Sequence, residues 1–344
     1  MVRDSDQDRS ILGLRVNGAE PKSPERGGSL ATMNQMDLFS LNPSKGNGAT
    51  AQKRHRGRRG QIVLGDARVE LRRFSPGAFQ TCITSPPYWG LRDYGIRGQI
   101  GAEIRLESYL TDLVAVFREV RRTLRDDGTL WLNLGDSYTS GGRTWRQSDR
   151  KNPARGMDYR APTPEGLKPK DLIGVPWRLA FALQQDGWYL RTDIIWHKPN
   201  GLPESVKDRP SRMHEYVFLL SKSERYYYNY EAMKEPAVNG HHRACRSVWN
   251  INTEPFKGAH FATFPTALVA KCLSASTRAD SHVLDPFFGS GTVGEVCQAF
   301  GLPYTGIELK PEYVEIAKQR LHWQDQNLRT SKKHARRNGA SEDP

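Results

Sequence analysis

The chain has 344 residues, with 51 Lys and Arg against 38 Asp and Glu, for a formal charge of +13. That length can bury a sizeable core as one large domain or two smaller ones, and that charge points to a polyanionic partner, most economically nucleic acid. No apolar run is long enough to span a bilayer, and the four scattered cysteines form no CxxC pair, which argues against a disulfide framework and fits a reducing cytoplasm.

Residues 1–60 are polar, rich in Gly, Ser and Asn, and end in the basic cluster KRHRGRRG; they read as a disordered arm. From there strands and helices alternate. QIVLGDA is a short apolar run ending on Gly65 and Asp66, and FQTCIT is a second strand over about Gln80–Thr84. Leu110, Leu113, Val114, Phe117, Val120 and Leu124 then recur at helical spacing, with a stop expected at the DDG of Gly128. TLWLNLGD follows as a buried strand. PWRLAFALQQDG has Pro176 in a first helical turn and Gly187 at the stop. WYLRTDIIWHKPN and HEYVFLLSK are strand-like. HVLD, TVGEVCQAF, YTGIE and PEYVEIAKQRL close the chain as a βαβα unit, the last helix turning Tyr313, Ile316, Ala317 and Leu321 inward. This alternation predicts an α/β fold around a parallel, doubly wound sheet.

Two stretches break the rhythm. Residues 139–170 are long, basic and Pro/Gly-rich, and Arg143, Arg146 and Arg150 within them are candidate DNA contacts. Residues 200–258 mix Arg with aromatics, including YYYNYE, which suits either base stacking or a peripheral hairpin with its tyrosines packed inward. His241, His242 and Cys245 lack a second ligand pair and read as a surface loop, so no metal is expected. The C-terminal residues 324–344 read as a second basic tail.

Two motifs carry chemistry. In TSPPYW, Pro86 and Pro87 cannot continue a central ladder, so the strand opens into a rigid loop that presents Tyr88 and Trp89. The same residues also suit a turn that caps the core. DPFFGSGTVG follows a strand and opens a helix; Gly289, Gly291 and Gly294 satisfy G-x-G-x-x-G, with acidic Glu308 on the next strand. That is the fingerprint of a dinucleotide site, so an NAD-dependent oxidoreductase is one reading. Asp285 pulls away from it, because a carboxylate at the strand end repels a pyrophosphate but welcomes an ammonium. A ligand with ribose, amino and carboxylate groups fits better, and S-adenosylmethionine is one.

Taken together, TSPPYW, DPFFGSGT, YTGIE and HFATFP resemble the amino-methylating DNA methyltransferases of bacteria and phages, in the arrangement that places the catalytic tetrapeptide before the cofactor glycine loop. The resemblance covers the core, residues 61–323. It implies a Rossmann-like S-adenosylmethionine-dependent fold, mostly parallel with one antiparallel strand. Ser85, Pro86, Pro87 and Tyr88 would be the catalytic tetrapeptide. Asp285, Phe287, Gly289 and Gly291 would line the methionine end of the cofactor, Glu308 would hold its ribose, and Asp66 would lie near its adenine. Phe264 and Pro265 would close the pocket from the other end.

The chemistry explains the prolines. An exocyclic amine on a base is a poor nucleophile because its lone pair is delocalised into the ring. Ser85 can accept one amino hydrogen and the Pro86 carbonyl the other, with the prolines fixing that carbonyl beforehand. Tyr88 offers a stacking face once the base has left the duplex. In the family, Ser at the first position leans towards cytosine N4 and Asp or Asn towards adenine N6. Cytosine N4 is therefore the expected target, with adenine N6 the alternative. A silent DNA-binding protein and an RNA amino-methyltransferase remain further readings. The expected partner is double-stranded DNA, with or without a cognate restriction endonuclease, in a bacterial or phage-infected cytoplasm.

Overall fold

The computed structural model describes residues 60–140, 161–254 and 264–321. Eight strands form its central sheet: β1 (Gly60–Leu64), β2 (Phe79–Thr84), β3 (Leu124–Leu134), β4 (Tyr189–His197), β5 (His214–Ser221), β8 (Val248–Asn250), β9 (Val283–Asp285) and β10 (Tyr304–Glu308). Two dipeptide strands, β6 (Glu235–Pro236) and β7 (His242–Arg243), form a separate ribbon. The order across the large sheet is β1-β10-β9-β2-β3-β5-β4-β8. Every neighbour pairing in it is parallel except those of β5, which runs against both β3 and β4. The expectation of a mostly parallel α/β sheet with one antiparallel strand is met.

Among the described residues six α-helices accompany the sheet: α1 (Ala67–Glu70), α2 (Leu106–Thr123), α3 (Val175–Gln185), α4 (Thr266–Ser276), α5 (Thr292–Phe300) and α6 (Pro311–Arg320). The strands alternate between two cores, as period-two side chains must. Cys82, Leu130, Leu132 and Leu134 join Phe117 and Leu179 on one face, whereas Ile83 and Trp131 join Val269, Leu273 and Val296 on the other. Runs such as FQTCIT are therefore buried on both faces, which is why they read as continuous rather than alternating. Cys82 is one of these core groups, its thiol pushed well above the ordinary range by burial.

Helix α4 and strand β8 were not expected from the sequence, and one boundary differs from that reading. Helix α2 ends at Thr123, and DDG lies inside β3 rather than ending the helix. Leu124 already pairs with Phe79, and the register shifts between Phe79 and Thr81. A Cβ at Gly128 would sit 3.0 Å from the Gln80 carbonyl, so the glycine admits the neighbouring strand rather than stopping the helix.

Topology sets the position of the site. The chain starts at β1 on one edge, crosses to β2 and moves outward to β3, and later returns through β9 and β10, which fill the places between β1 and β2, so β2 and β9 are neighbours although they lie about 200 residues apart. Ligands of open α/β sheets bind beyond the C-terminal strand ends at such a switch point.

Candidate active site

Strand β2 ends at Thr84 and β9 at Asp285, and the two side chains meet: Thr84 Oγ1 donates to Asp285 Oδ1 at 2.6 Å. The Ser85–Tyr88 loop and the glycine loop therefore open from adjacent points. Both line one cleft of about 290 Å³, together with Asp66, Phe264, Glu308, Tyr94 and Tyr313.

Two buried carboxylates stand on the glycine-loop side of the cleft. Asp285 is 2% exposed, and burial pushes its pKa up to about 7 despite hydrogen bonds from Thr84 and from the Phe287 N–H at 3.1 Å. Glu308, at the end of β10, is also raised by burial. Its Oε2 accepts the Gly289 N–H at 2.7 Å and its Oε1 the Lys310 N–H at 2.8 Å, so the carboxylate pins the glycine loop to the strand beside it. Gly289 has φ of 52°, and a Cβ there would meet nothing closer than 4.0 Å, so the backbone faces open cleft. Phe287 adds an apolar wall.

The donor set fits S-adenosylmethionine. A buried carboxylate held at about pKa 7 gains from an ammonium partner. A strand-end carboxylate suits ribose hydroxyls, and the aromatic walls suit an adenine. Asp66 caps α1 through the Arg68 N–H at 2.8 Å and pairs with the Arg68 guanidinium at 2.6 Å. Burial alone would raise the Asp66 carboxyl, but Arg68 holds it below its ordinary range.

The tetrapeptide is braced from below. The Tyr109 hydroxyl donates to the Pro87 carbonyl at 2.9 Å, and the Trp89 indole donates to the Glu103 carbonyl at 2.9 Å. Trp89 is 5% exposed, so it anchors the loop from within the core. The Pro86 carbonyl accepts no hydrogen bond from the described residues and is free to accept one from a ligand. Tyr88 donates its hydroxyl to Glu215 Oε2 at 2.8 Å; burial and then the Glu215 charge push that phenol well above its ordinary range. Ser85 lies within reach of the same phenol. Glu215 is held by Lys198 Nζ at 2.5 Å and by Asn133 Nδ2 at 3.1 Å.

Of the expected site residues, Ser85, Pro86, Pro87, Tyr88, Asp66, Phe264, Asp285, Phe287, Gly289 and Glu308 line the cleft together. Gly291 and Pro265 do not. Gly291 takes φ of 85° at the start of α5, where a Cβ would lie 3.2 Å from Ala317, so it serves packing. Pro265 occupies the position before α4. Arg143, Arg146, Arg150 and most of HFATFP lie outside the described residues. Tyr313 is not an inward residue of α6: Val314 and Ala317 are buried, while Tyr313 turns to the cleft and meets Tyr94 edge-on at 6.1 Å. The tyrosine run sits at the opposite end of the sheet, where the Tyr227 N–H bonds the Asp127 carbonyl and Arg278 stacks 3.8 Å over the Tyr227 ring. Among the described residues no group of three His, Cys, Asp or Glu could hold a metal ion.

Glu215, Lys198, Asn133 and Thr84 were missed from sequence. Each is polar at the C-terminal edge of the sheet, and Glu215 reaches that edge only because β5 runs backwards. The available signal was a polar residue at the end of an otherwise apolar run, as in WLNLGD and IIWHKPN.

A twisted α/β sheet with its cleft at this switch point defines the Rossmann-like class. Within it, the chain belongs to the DNA methylase family, whose model for N6 and N4 methylation matches residues 79–319. It is 63% identical over 263 residues to the Type II methyltransferase M.SmaI of Serratia marcescens, covering 76% of this chain and 90% of that protein. It is 58% identical over 291 residues to M.Cfr9I of Citrobacter freundii, covering 85% and 93%. The fold matches the PvuII DNA methyltransferase (cytosine-N4-specific) with a TM-score of 0.56 at 21% identity, over 75% of this chain and 84% of that one. A Thermus thermophilus structure complexed with S-adenosyl-L-methionine matches with a TM-score of 0.52 at 26% identity, over 76% and 93%.

Proposed function

We propose that this chain is a Type II DNA methyltransferase that uses S-adenosylmethionine to methylate the exocyclic N4 of a cytosine turned out of duplex DNA. The observation that carries the reading is the Ser85–Pro86 pair: a hydroxyl and an unengaged carbonyl on a braced loop, in the same cleft as Asp285 and Glu308. When bound, S-adenosylmethionine supplies an electrophilic methyl group on its sulfonium.

The chain's own residues prepare the amine. Asp285 would take the cofactor ammonium, Glu308 its ribose hydroxyls, and Tyr94, Tyr313 and Asp66 the adenine end. Ser85 Oγ and the Pro86 carbonyl accept the two amino hydrogens, which draws the nitrogen lone pair out of conjugation and points it away from both acceptors. Tyr109 keeps the carbonyl direction fixed by holding Pro87, so little reorganisation is needed. The Tyr88 ring, tied to Glu215, gives the base a face to stack on, which offsets part of the few kcal/mol of unstacking. The first letter of Ser-Pro-Pro-Tyr favours cytosine; adenine N6 is the second reading, because the two acceptors would serve either amine. Relatives named as Type II enzymes support a role in DNA modification beside a restriction activity.

Nucleoside mass spectrometry of methyl-free DNA incubated with the protein and S-adenosylmethionine tests this. N4-methylcytosine is expected, with Ser85→Ala lowering kcat by about 10²-fold or more through loss of one acceptor. N6-methyladenine would keep the enzyme class and move the target. No methylated base in any DNA, with Ser85→Ala indistinguishable from the parent, would sink the proposal.

A further inference from the structure

Lys198 stands just beyond β4 and reaches into the cleft from the tetrapeptide side. Its side chain is 20% exposed, and its ammonium lies 4.3 Å from the centre of the Trp196 ring. Among the described residues Glu215 is its one hydrogen-bond acceptor, so two N–H donors remain unallocated. The Glu215 carboxylate that holds it also takes the Tyr88 hydroxyl, which places the ammonium a single carboxylate away from the stacking ring.

The other cleft donors are committed or lie elsewhere. Both amide protons of Asn133 go to Glu215 and the Tyr216 carbonyl. Arg68 is spent on Asp66, Asp112 and the Gly98 carbonyl. Arg92 and Lys310 lie by Tyr94 and Tyr313, towards Glu308. A base whose amino group lies on Ser85 and Pro86 turns its adjoining ring edge to a different wall. In cytosine that edge carries two acceptors in a row, N3 and O2. In adenine it carries N1 followed by a C–H.

We infer that Lys198, held in place by Glu215, donates to the N3–O2 edge of the turned-out base and is a specificity determinant for cytosine over adenine. The inference rests on the methyltransferase reading above. A fixed ammonium gains a charge-assisted hydrogen bond from cytosine O2, whereas the adenine C–H leaves one donor unpaired in a desolvated cleft. Lys198 discriminates by what the wrong base fails to satisfy.

The test compares kcat/KM on a duplex whose target cytosine has been mapped with that on the same duplex carrying adenine at that position. Lys198→Met should lower the cytosine value by roughly 10- to 100-fold more than the adenine value, so that the preference collapses even though loss of the brace on Glu215 lowers both. Lys198→Arg, which keeps the charge and a bond to Glu215, should retain part of the preference. Unchanged S-adenosylmethionine affinity by calorimetry shows that the Met variant is folded. An equal fall on both bases overturns the inference, since Lys198 would then only brace Tyr88 through Glu215. So does an unchanged ratio. A parent enzyme yielding N6-methyladenine alone would overturn the cytosine reading itself, and that result is visible before any variant is made.

Discussion

In the role proposed for it, Asp285 makes cofactor capture and stability pull in opposite directions. Its folded-state pKa of about 7 stands above the ordinary 3.8 because burial outweighs the hydrogen bonds from Thr84 and Phe287. The native state thus binds more protons than the unfolded chain between those values, and stability without ligand falls as pH rises through that window. An ammonium ligand prefers the ionised form, so S-adenosylmethionine affinity should rise from about pH 6 to about pH 8. Asp285→Asn should weaken binding and flatten both trends. Titration calorimetry at three pH values with thermal melts checks this, and an affinity that is level across the range would contradict it. The carboxylate itself was legible in DPFFGSG, since a strand-end acid beside glycines argues against a pyrophosphate. Its partner Thr84 was not. The contact spans 201 positions and exists only because β2 and β9 are adjacent.

At the scale of elements, the glycine motif divides its labour in a way that spacing conceals. Gly289 faces the cleft, but Gly294 lies within α5, where an added Cβ would come within 2.7 Å of Phe288 Cζ and 3.0 Å of Tyr304 Cε2. Alanine normally favours a helix interior by about 1 kcal/mol over glycine. Here overpacking against two rings wins, and Gly294→Ala should destabilise the protein by about 1–3 kcal/mol. A thermal melt lowered by a few degrees is expected, with partial recovery on adding Phe288→Leu; an unchanged or raised midpoint would show that the rings move aside freely. Most of the helix and strand order was readable because buried strands give continuous apolar runs and helices give the 3.6-residue period, but α4, buried on most sides, and the three-residue β8 show neither mark and were not expected. The reversal of β5 had no such mark, as HEYVFLLS reads the same in either direction. That reversal brings Glu215 to the site, so the Tyr88–Glu215–Lys198 chain was the part least accessible from sequence.

At the scale of the whole molecule, the charge is unevenly distributed. Residues 60–140, 161–254 and 264–321 hold 28 Lys and Arg against 27 Asp and Glu, so the described core is nearly neutral although the chain carries +13. The remaining residues hold 23 against 11. The excess positive charge that would attract a polyanion at long range therefore lies in residues 1–59, 141–160, 255–263 and 322–344, while the cleft lies in the described residues. In the sequence, residues 141–160 lie between β3, which ends at Leu134, and α3, which begins at Val175. On that sequence position we propose Arg143, Arg146 and Arg150, rather than the terminal clusters, as phosphate contacts. Each phosphate neutralised contributes about 0.9 to the slope of log affinity against log salt. Replacing the three arginines with glutamine should weaken duplex binding and reduce that slope by about 2 to 3, while S-adenosylmethionine affinity stays unchanged. Fluorescence anisotropy across a salt series reads the slope. If it is unaltered, the attraction resides in the terminal clusters, and replacing Lys53, Arg54, Arg56, Arg58 and Arg59 should then flatten it instead.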